Sequence, residues 1–322
     1  MTSALVRATL FGTGADGLRH GVMSVLRIAN VLHAGVEVLA IEHRGHLLSV
    51  SELERVFELE GSPSRFADAS SFRRRVFSLG LAGLEEVVDC LGDADAPESA
   101  ILQRSECMYL VPTVLDAALL EFDVRAEDRV PAFRRGYGRV LRGHESPLSI
   151  PSDEASPELS VEVAAILGDD VRNATPAQAA RAIAGYATLS LWTLPSREKL
   201  SPGWGRYRCG QLGPWLMVAD ELFDPAACEA SISINGEKVV AARARAWRAS
   251  FAEMIAFASE GAELFAGDII ASGPLAKVSS DGARAIRDGD QVAVQIASVG
   301  MLSGVVVGSS PRTAEHCWAP VS

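Results

Sequence analysis

The chain has 322 residues, 48% of them apolar, and a formal net charge of −11. That length is enough for a substantial core, arranged as one large domain or a small domain beside a large one. The acidic balance argues against non-specific nucleic-acid binding, which needs basic surface to release counterions, and by itself it names no partner.

The N-terminal stretch MTSALVRATLFG lacks the basic start and apolar run of a signal peptide. No stretch is apolar for the roughly 18 residues that a membrane helix needs. The five cysteines, Cys90, Cys107, Cys209, Cys228 and Cys317, are scattered and form no CxxC pair. This spacing predicts reduced thiols in a cytoplasmic protein and neither a zinc knuckle nor a thioredoxin-type site.

Residues 5–11 and 21–28 read as strands joined by the turn GTGADG. That turn lacks the strand-to-helix placement of a phosphate-binding loop. Residues 36–41 form another expected strand. His43 and His46, with His20 and His33 near in sequence, have no evident third ligand, so HRGH reads as a polar turn. Ser51 and Glu54 at capping-box spacing open an expected helix over 51–60, and 71–91 is a second. The acidic, turn-rich GDADAPES at 92–99 marks the expected boundary between a small N-terminal domain, 1–95, and a β-rich body, 96–322.

In the body, residues 161–167 are apolar except for Glu162, as suits a strand buried on both faces. Thr175-Pro176 starts a helix that Gly185 is expected to end, with the chain extended beyond it. Asn235-Gly236 predicts a hairpin between 231–234 and 237–240. A short amphipathic helix is expected over 250–259, and strands over 268–271, 291–297 and 304–307. No GxSxG elbow is present.

Several segments occur in a telling order. PAFRRGYGRVLRGHESPLSIP, PELSVEVAAILGDD and GYATLSLWTLPSR precede LGPWLMVADEL, SISINGEKV, SFAEMIAFAS, LFAGDIIASGP and IRDGDQVAVQIASVGML. Over residues 131–308 this order resembles the fumarylacetoacetate hydrolase family, with a weaker match in the first strands. The resemblance implies an α+β, mostly β fold: a rolled mixed β-sheet body with a smaller N-terminal α/β domain, commonly a homodimer. It implies reactions that split, hydrate, isomerise or decarboxylate 1,3-dicarbonyl or 2-keto acid compounds through an enol or enolate.

Members of that family place Glu-x-Glu on one strand and an aspartate after the next helix, three carboxylates suited to Mg²⁺. On this pattern Glu162 is the second glutamate. Ser160 stands at the first, Leu191 at the aspartate, and Trp192 at a tryptophan. A hydroxyl and an apolar side chain do not replace two carboxylate charges, so no metal and no other cofactor is expected. A one-residue shift that returned Glu158, Asp169 or Asp170 would restore Mg²⁺ binding.

Where members carry a lysine before LGP, Trp204 or Arg206 falls here, and Ala118 and Glu121 fall near the lid's usual His and Glu. Without a metal, charge on an enolate oxygen is met by donors and cations. The expected catalytic residues are therefore Glu162, Arg206, Tyr137 and Glu121, with Glu162 as a proton carrier and Tyr137 as a phenolic donor. The expected substrate-binding set is Arg134, Arg135, Arg139, Arg197, Trp192, Trp204, Ser160 and Ser272. Trp215 reads as packing.

The favoured function is a metal-independent enzyme of specialised metabolism that cleaves, cyclises, isomerises or decarboxylates a small enolisable molecule. Two alternatives stand beside it: a non-catalytic scaffold or binding relative, and a conventional Mg²⁺-dependent hydrolase or hydratase.

Overall fold

The computed structural model describes residues 26–57, 76–77, 82–92, 95–123, 132–154, 156–201, 203–206, 209–219, 223–243, 247, 249–279 and 286–309. The expected strand at 5–11, the GTGADG turn and most of the strand at 21–28 lie outside these residues.

The N-terminal part is a meander of β1 (Arg27–His33), β2 (Val36–His43) and β3 (His46–Ser49). HRGH is the polar turn expected: Arg44 and Gly45 adopt φ of 50° and 83°, and His43 pairs with His46 across the ladder. α1 (Val50–Val56) is capped two residues earlier than the capping box suggested, because Ser49 is the N-cap and accepts the Glu52 amide. Glu54 is instead buried on the helix's packed side. α2 (Ala82–Leu91) falls within the second expected helix, of which residues 71–75 and 78–81 lie outside the described residues. It buries Leu84, Val87 and Leu91 in the same cluster as Val50 and Leu53 of α1. β4 (Ile101–Leu102) and β5 (Cys107–Tyr109), although past the expected boundary at 95/96, pair with β3 and β1 of this meander.

The body opens with β6 (Ala118–Phe122), β7 (Phe133–Tyr137), β8 (Leu141–Arg142) and β9 (Leu148–Pro151). β10 (Glu158–Leu167) is buried on both faces, as its apolar run required. After β11 (Val171–Arg172), α3 (Pro176–Arg181) carries the capping box Thr175/Gln178 but makes under two turns. Gly185 does not end it. The glycine lies inside β12 (Ile183–Thr193), where an added Cβ would meet the Met217 carbonyl oxygen at 2.2 Å. The apolar run from Ile183 is claimed by sheet burial, which overrides the local helical pattern.

α4 (Pro195–Leu200), β13 (Gly210–Val218), β14 (Glu229–Ile234) and β15 (Glu237–Arg243) follow. The turn between β14 and β15 is the Asn235-Gly236 hairpin, with φ of 51° and 80°. α5 (Phe251–Ala258) has the Ser250/Glu253 capping box. β16 (Glu263–Leu264), β17 (Ile269–Ala271), β18 (Ala276–Ser279), β19 (Gln291–Ile296) and β20 (Gly300–Ser309) end the described chain.

The largest sheet runs β4-β3-β2-β1-β13-β12-β10-β17-β6-β7, with β18 also on β10, β5 on β1 and β8 on β13. The N-terminal meander thus joins the body edge to edge, Arg27 and Ile28 facing Met217 and Leu216. A second sheet, β15-β14-β19-β20-β9, packs on the first around a core that includes Val161, Trp192, Ile232 and Leu302. Parallel pairs such as β17–β6 among antiparallel ones make the sheets mixed. The architecture is the mostly β fold with mixed sheets that the resemblance implied. No helix of the described residues is long and apolar enough to cross a membrane.

Candidate active site

Strand alternation sets Glu158, Ser160 and Glu162 on one face of β10. Residues directly opposite in an antiparallel ladder share a face. β12 therefore brings Thr193, Leu191 and Leu189 beside them, and β18 brings Ser279 and Lys277 beside Glu158 and Ser160. The central row reads Leu191, Ser160, Lys277: apolar, hydroxyl, cation. Between β17 and β18 the chain passes Gly273 (φ 78°), so close to β6 that a Cβ there would lie 2.2 Å from the Phe122 carbonyl oxygen. That approach brings Glu121 of β6 to the site. The resulting cleft, about 360 Å³ including its open part, is lined by Glu121, Glu158, Ser160, Leu191, Trp192, Thr193, Arg206, Pro274 and Lys277.

Three ion pairs organise it. Arg206, from the loop after α4, places Nη1 3.4 Å from both carboxylate oxygens of the buried Glu121. Its Nε lies 3.9 Å from Glu198 Oε1. Across the cleft Lys277 Nζ lies 2.5 Å from Glu158 Oε2.

Glu162 is wholly buried behind Ser160 and does not line the cleft. The Ser160 hydroxyl reaches Glu162 Oε1 at 2.9 Å and the Leu191 carbonyl oxygen at 3.3 Å, and its one proton serves one of them at a time. Glu162 Oε2 has no hydrogen-bond partner among the described residues. Burial, and then the charge of Glu121, push the Glu162 carboxyl well above the usual range. The Ser160 bond, the Gly273 amide and Arg206 pull it the other way without prevailing.

The structure gathers Glu121, Ser160, Trp192 and Arg206 at the cleft, with Glu162 one layer behind. The other expected site residues are elsewhere. Tyr137, at the end of β7, is 74% exposed and away from the cleft lining. Arg134 pairs with Glu121 in the β6–β7 register but is exposed, as are Arg135 and Arg139. Arg197 is held by Asp153 and Glu154. Trp204 lies exposed in the loop before Arg206. Ser272 is buried, accepting the Val163 amide and donating to the Gly273 carbonyl oxygen. Each of these is occupied structurally or faces solvent. Lys277 and Glu198 were not anticipated. Lys277 reaches the site through a strand pairing more than 100 residues away, and Glu198 acts through a loop fold five to eight residues on, neither of which spacing reveals.

The fumarylacetoacetate (FAA) hydrolase C-terminal family matches residues 119–307, more than half of the chain. The chain belongs to the fumarylacetoacetate hydrolase family. It is similar to 2,4-didehydro-3-deoxy-L-rhamnonate hydrolase of Sphingomonas sp. (strain SKA58), 24% identical over 138 residues, 41% of this chain and 48% of that protein. It thus spans about half the length of that curated relative. Among solved structures, maleylpyruvate hydrolase from Sphingobium sp. SYK-6 shares the fold with TM-score 0.67 and 21% identity, over 88% of this chain and 100% of that one. A 2-hydroxyhepta-2,4-diene-1,7-dioate isomerase from Mycobacterium marinum does so with TM-score 0.65 and 18% identity, over 89% and 100%. This is a family of enzymes that includes hydrolases and isomerases.

The maleylpyruvate hydrolase has also been seen in complex with manganese(II) and pyruvate, and the residues present here can be tested against such an ion. Mg²⁺ and Mn²⁺ take hard oxygen donors, carboxylates above all. The corresponding face offers a carboxyl held toward its neutral form, a hydroxyl, and the side chain of Leu191. The remaining carboxylates of the cleft are engaged by Arg206 and Lys277. No group of three or more His, Cys, Asp or Glu placed to hold an ion occurs among the described residues. A shifted register does not rescue the set. Asp170 accepts the Ala266 amide at 2.7 Å beyond the far end of β10, and Asp169 is exposed beside it. The donor set does not fit a divalent cation.

Proposed function

We propose that this chain is an enzyme that enolises a small 2-keto acid or β-dicarbonyl substrate, using Arg206 in place of a divalent cation. The observation that carries this reading is the arrangement of the cleft: a guanidinium beside a buried carboxylate, on a face where the family's pattern has two acidic residues and this chain has Ser160 and Leu191. Guanidinium stays charged and matches carboxylate and enolate oxygens with a planar fork of donors.

Arg206 binds the substrate's carboxylate or carbonyl oxygen. Glu121, across from it in the same cleft, takes a proton from the carbon next to the carbonyl. The C–H electron pair forms the C=C bond, and the carbonyl π pair moves onto the oxygen that Arg206 faces. Returning the proton to another carbon completes an isomerisation, and release of CO₂ from a β-keto acid is the alternative entry to the same enolate. The Ser160 hydroxyl borders this space, and Glu162 behind it is a proton store in contact with Ser160.

Pyruvate, the simplest enolisable 2-keto acid, provides the test. In D₂O with excess EDTA, the protein is expected to exchange the pyruvate methyl protons for deuterium, read as loss of the methyl proton signal. Arg206→Ala is expected to lower that rate about a hundredfold or more. Exchange that requires added Mg²⁺ or Mn²⁺ would return the conventional reading. Tight pyruvate binding without exchange would favour a binding protein.

A further inference from the structure

Resting on the reading of Arg206 as the cation of the cleft, we infer that Glu198 is the positioning residue that holds Arg206 there, through a bracket built from α4. One carboxylate reaches the loop at Gly203, Gly205 and Arg206. Glu198 accepts the Gly203 amide at 3.0 and 3.1 Å and the Gly205 amide at 3.1 Å, and its Oε1 lies 3.9 Å from Arg206 Nε. The loop is closed from its other side by the Leu194 amide, which donates to the Gly205 carbonyl oxygen at 2.8 Å. Residue 205 must be glycine, since a Cβ would sit 2.2 Å from the Leu194 carbonyl oxygen and 2.6 Å from the Glu198 nitrogen.

The bracket is itself anchored. Next to Glu198 on α4, Ser196 and Arg197 bind Glu154, and Arg197 also binds Asp153, tying the helix to the segment after β9. Glu154 is almost wholly buried, which fixes the anchor. Arg206 thus stands between two carboxylates with different tasks. Glu121 faces it across the cleft, and Glu198 ties it to the loop that carries it. At 3.4 and 3.9 Å neither pair is closed to hydrogen-bond optimum, which leaves the guanidinium free to accept a substrate anion without leaving its seat.

Glu198→Ala, Glu198→Gln, Arg206→Ala and the double variant E198A/R206A test this. Arginine-selective ¹⁵N NMR reads the seat of Arg206 directly, and pyruvate methyl exchange in EDTA reads its use. In E198A the Arg206 Nε–H resonance should move into the range of exposed arginines, and exchange should slow about ten- to a hundredfold, the scale of a misplaced catalytic group. E198Q keeps an acceptor for the loop amides but loses the charge, so it should fall between, and it serves if E198A folds poorly. The double variant should be no slower than R206A, because a residue that acts through Arg206 has nothing left to position. An unmoved Arg206 resonance in E198A, or penalties that multiply in the double variant, would overturn the inference. Wild-type exchange rates in R206A would instead sink the enolising reading, while the resonance still decides whether Glu198 seats Arg206.

Discussion

Glu162 illustrates how a single side chain changes character when its neighbours change. In a cradle with two further carboxylates and an ion it would be one anion among three. Beside Ser160 and across from Leu189 it is a wholly buried acid with one oxygen bonded and the other without a partner among the described residues. Its pKa is raised in the fold. Its contribution to stability is therefore complete below the ordinary glutamate value of about 4.3 and is lost as pH rises through the folded value. Glu162→Gln keeps the shape and removes the titration. Its unfolding free energy, measured by urea denaturation from about pH 5 to 8, should decline less with pH than that of the wild type. Parallel curves for the two proteins would show that Glu162 ionises without cost where it sits. The sequence already placed Ser160, Glu162 and Leu191 together: strand alternation is a local rule that sets the first two on one face, and the family resemblance added Leu191. It did not show that Glu162 lies behind Ser160, since depth depends on what distant segments bring over the strand, here Glu121 of β6 and the Gly273 backbone.

α4 and the loop after it show what an element contributes that its residues do not announce. Six residues long, α4 has no buried face, and nothing in PSREKL distinguishes it from a solvated turn. Its importance comes from ties at both ends, to Asp153 and Glu154 on one side and to Gly203 and Gly205 on the other. Gly205→Ala should break the loop's seat: pyruvate exchange should fall at least about tenfold, and the melting temperature should drop by several degrees through overpacking of roughly 1–3 kcal/mol. Calorimetry alongside the exchange assay checks both, and an alanine tolerated without change in either would mean that the loop is loose. The short α3 makes the opposite point. Thr175, Pro176 and Gln178 encode a helix start faithfully, but the length of that helix is set by β12, whose residues are taken into the sheet from Ile183 onward.

At the scale of the molecule, one sheet runs from the N-terminal meander through β13, β12 and β10 to β6, so the site's floor is continuous with most of the core. A floor buried on both faces keeps its geometry when side chains upon it change, because the backbone register is fixed by packing rather than by the polar side chains it presents. This is why the fold was legible from motif order while the chemistry was not. The motifs record the sheet, and the cations of the cleft, Arg206 and Lys277, arrive from a loop and from β18, whose pairing partner lies more than 100 residues away. The central claim is that the cradle has kept its shape and exchanged a bound metal for a guanidinium. Titration of Mn²⁺ followed by electron paramagnetic resonance tests it most directly, with Ser160→Glu/Leu191→Asp as the comparison. The wild type should leave the free Mn²⁺ signal undiminished, and the double variant should remove one equivalent. Stoichiometric loss of that signal with the wild-type protein would contradict the account.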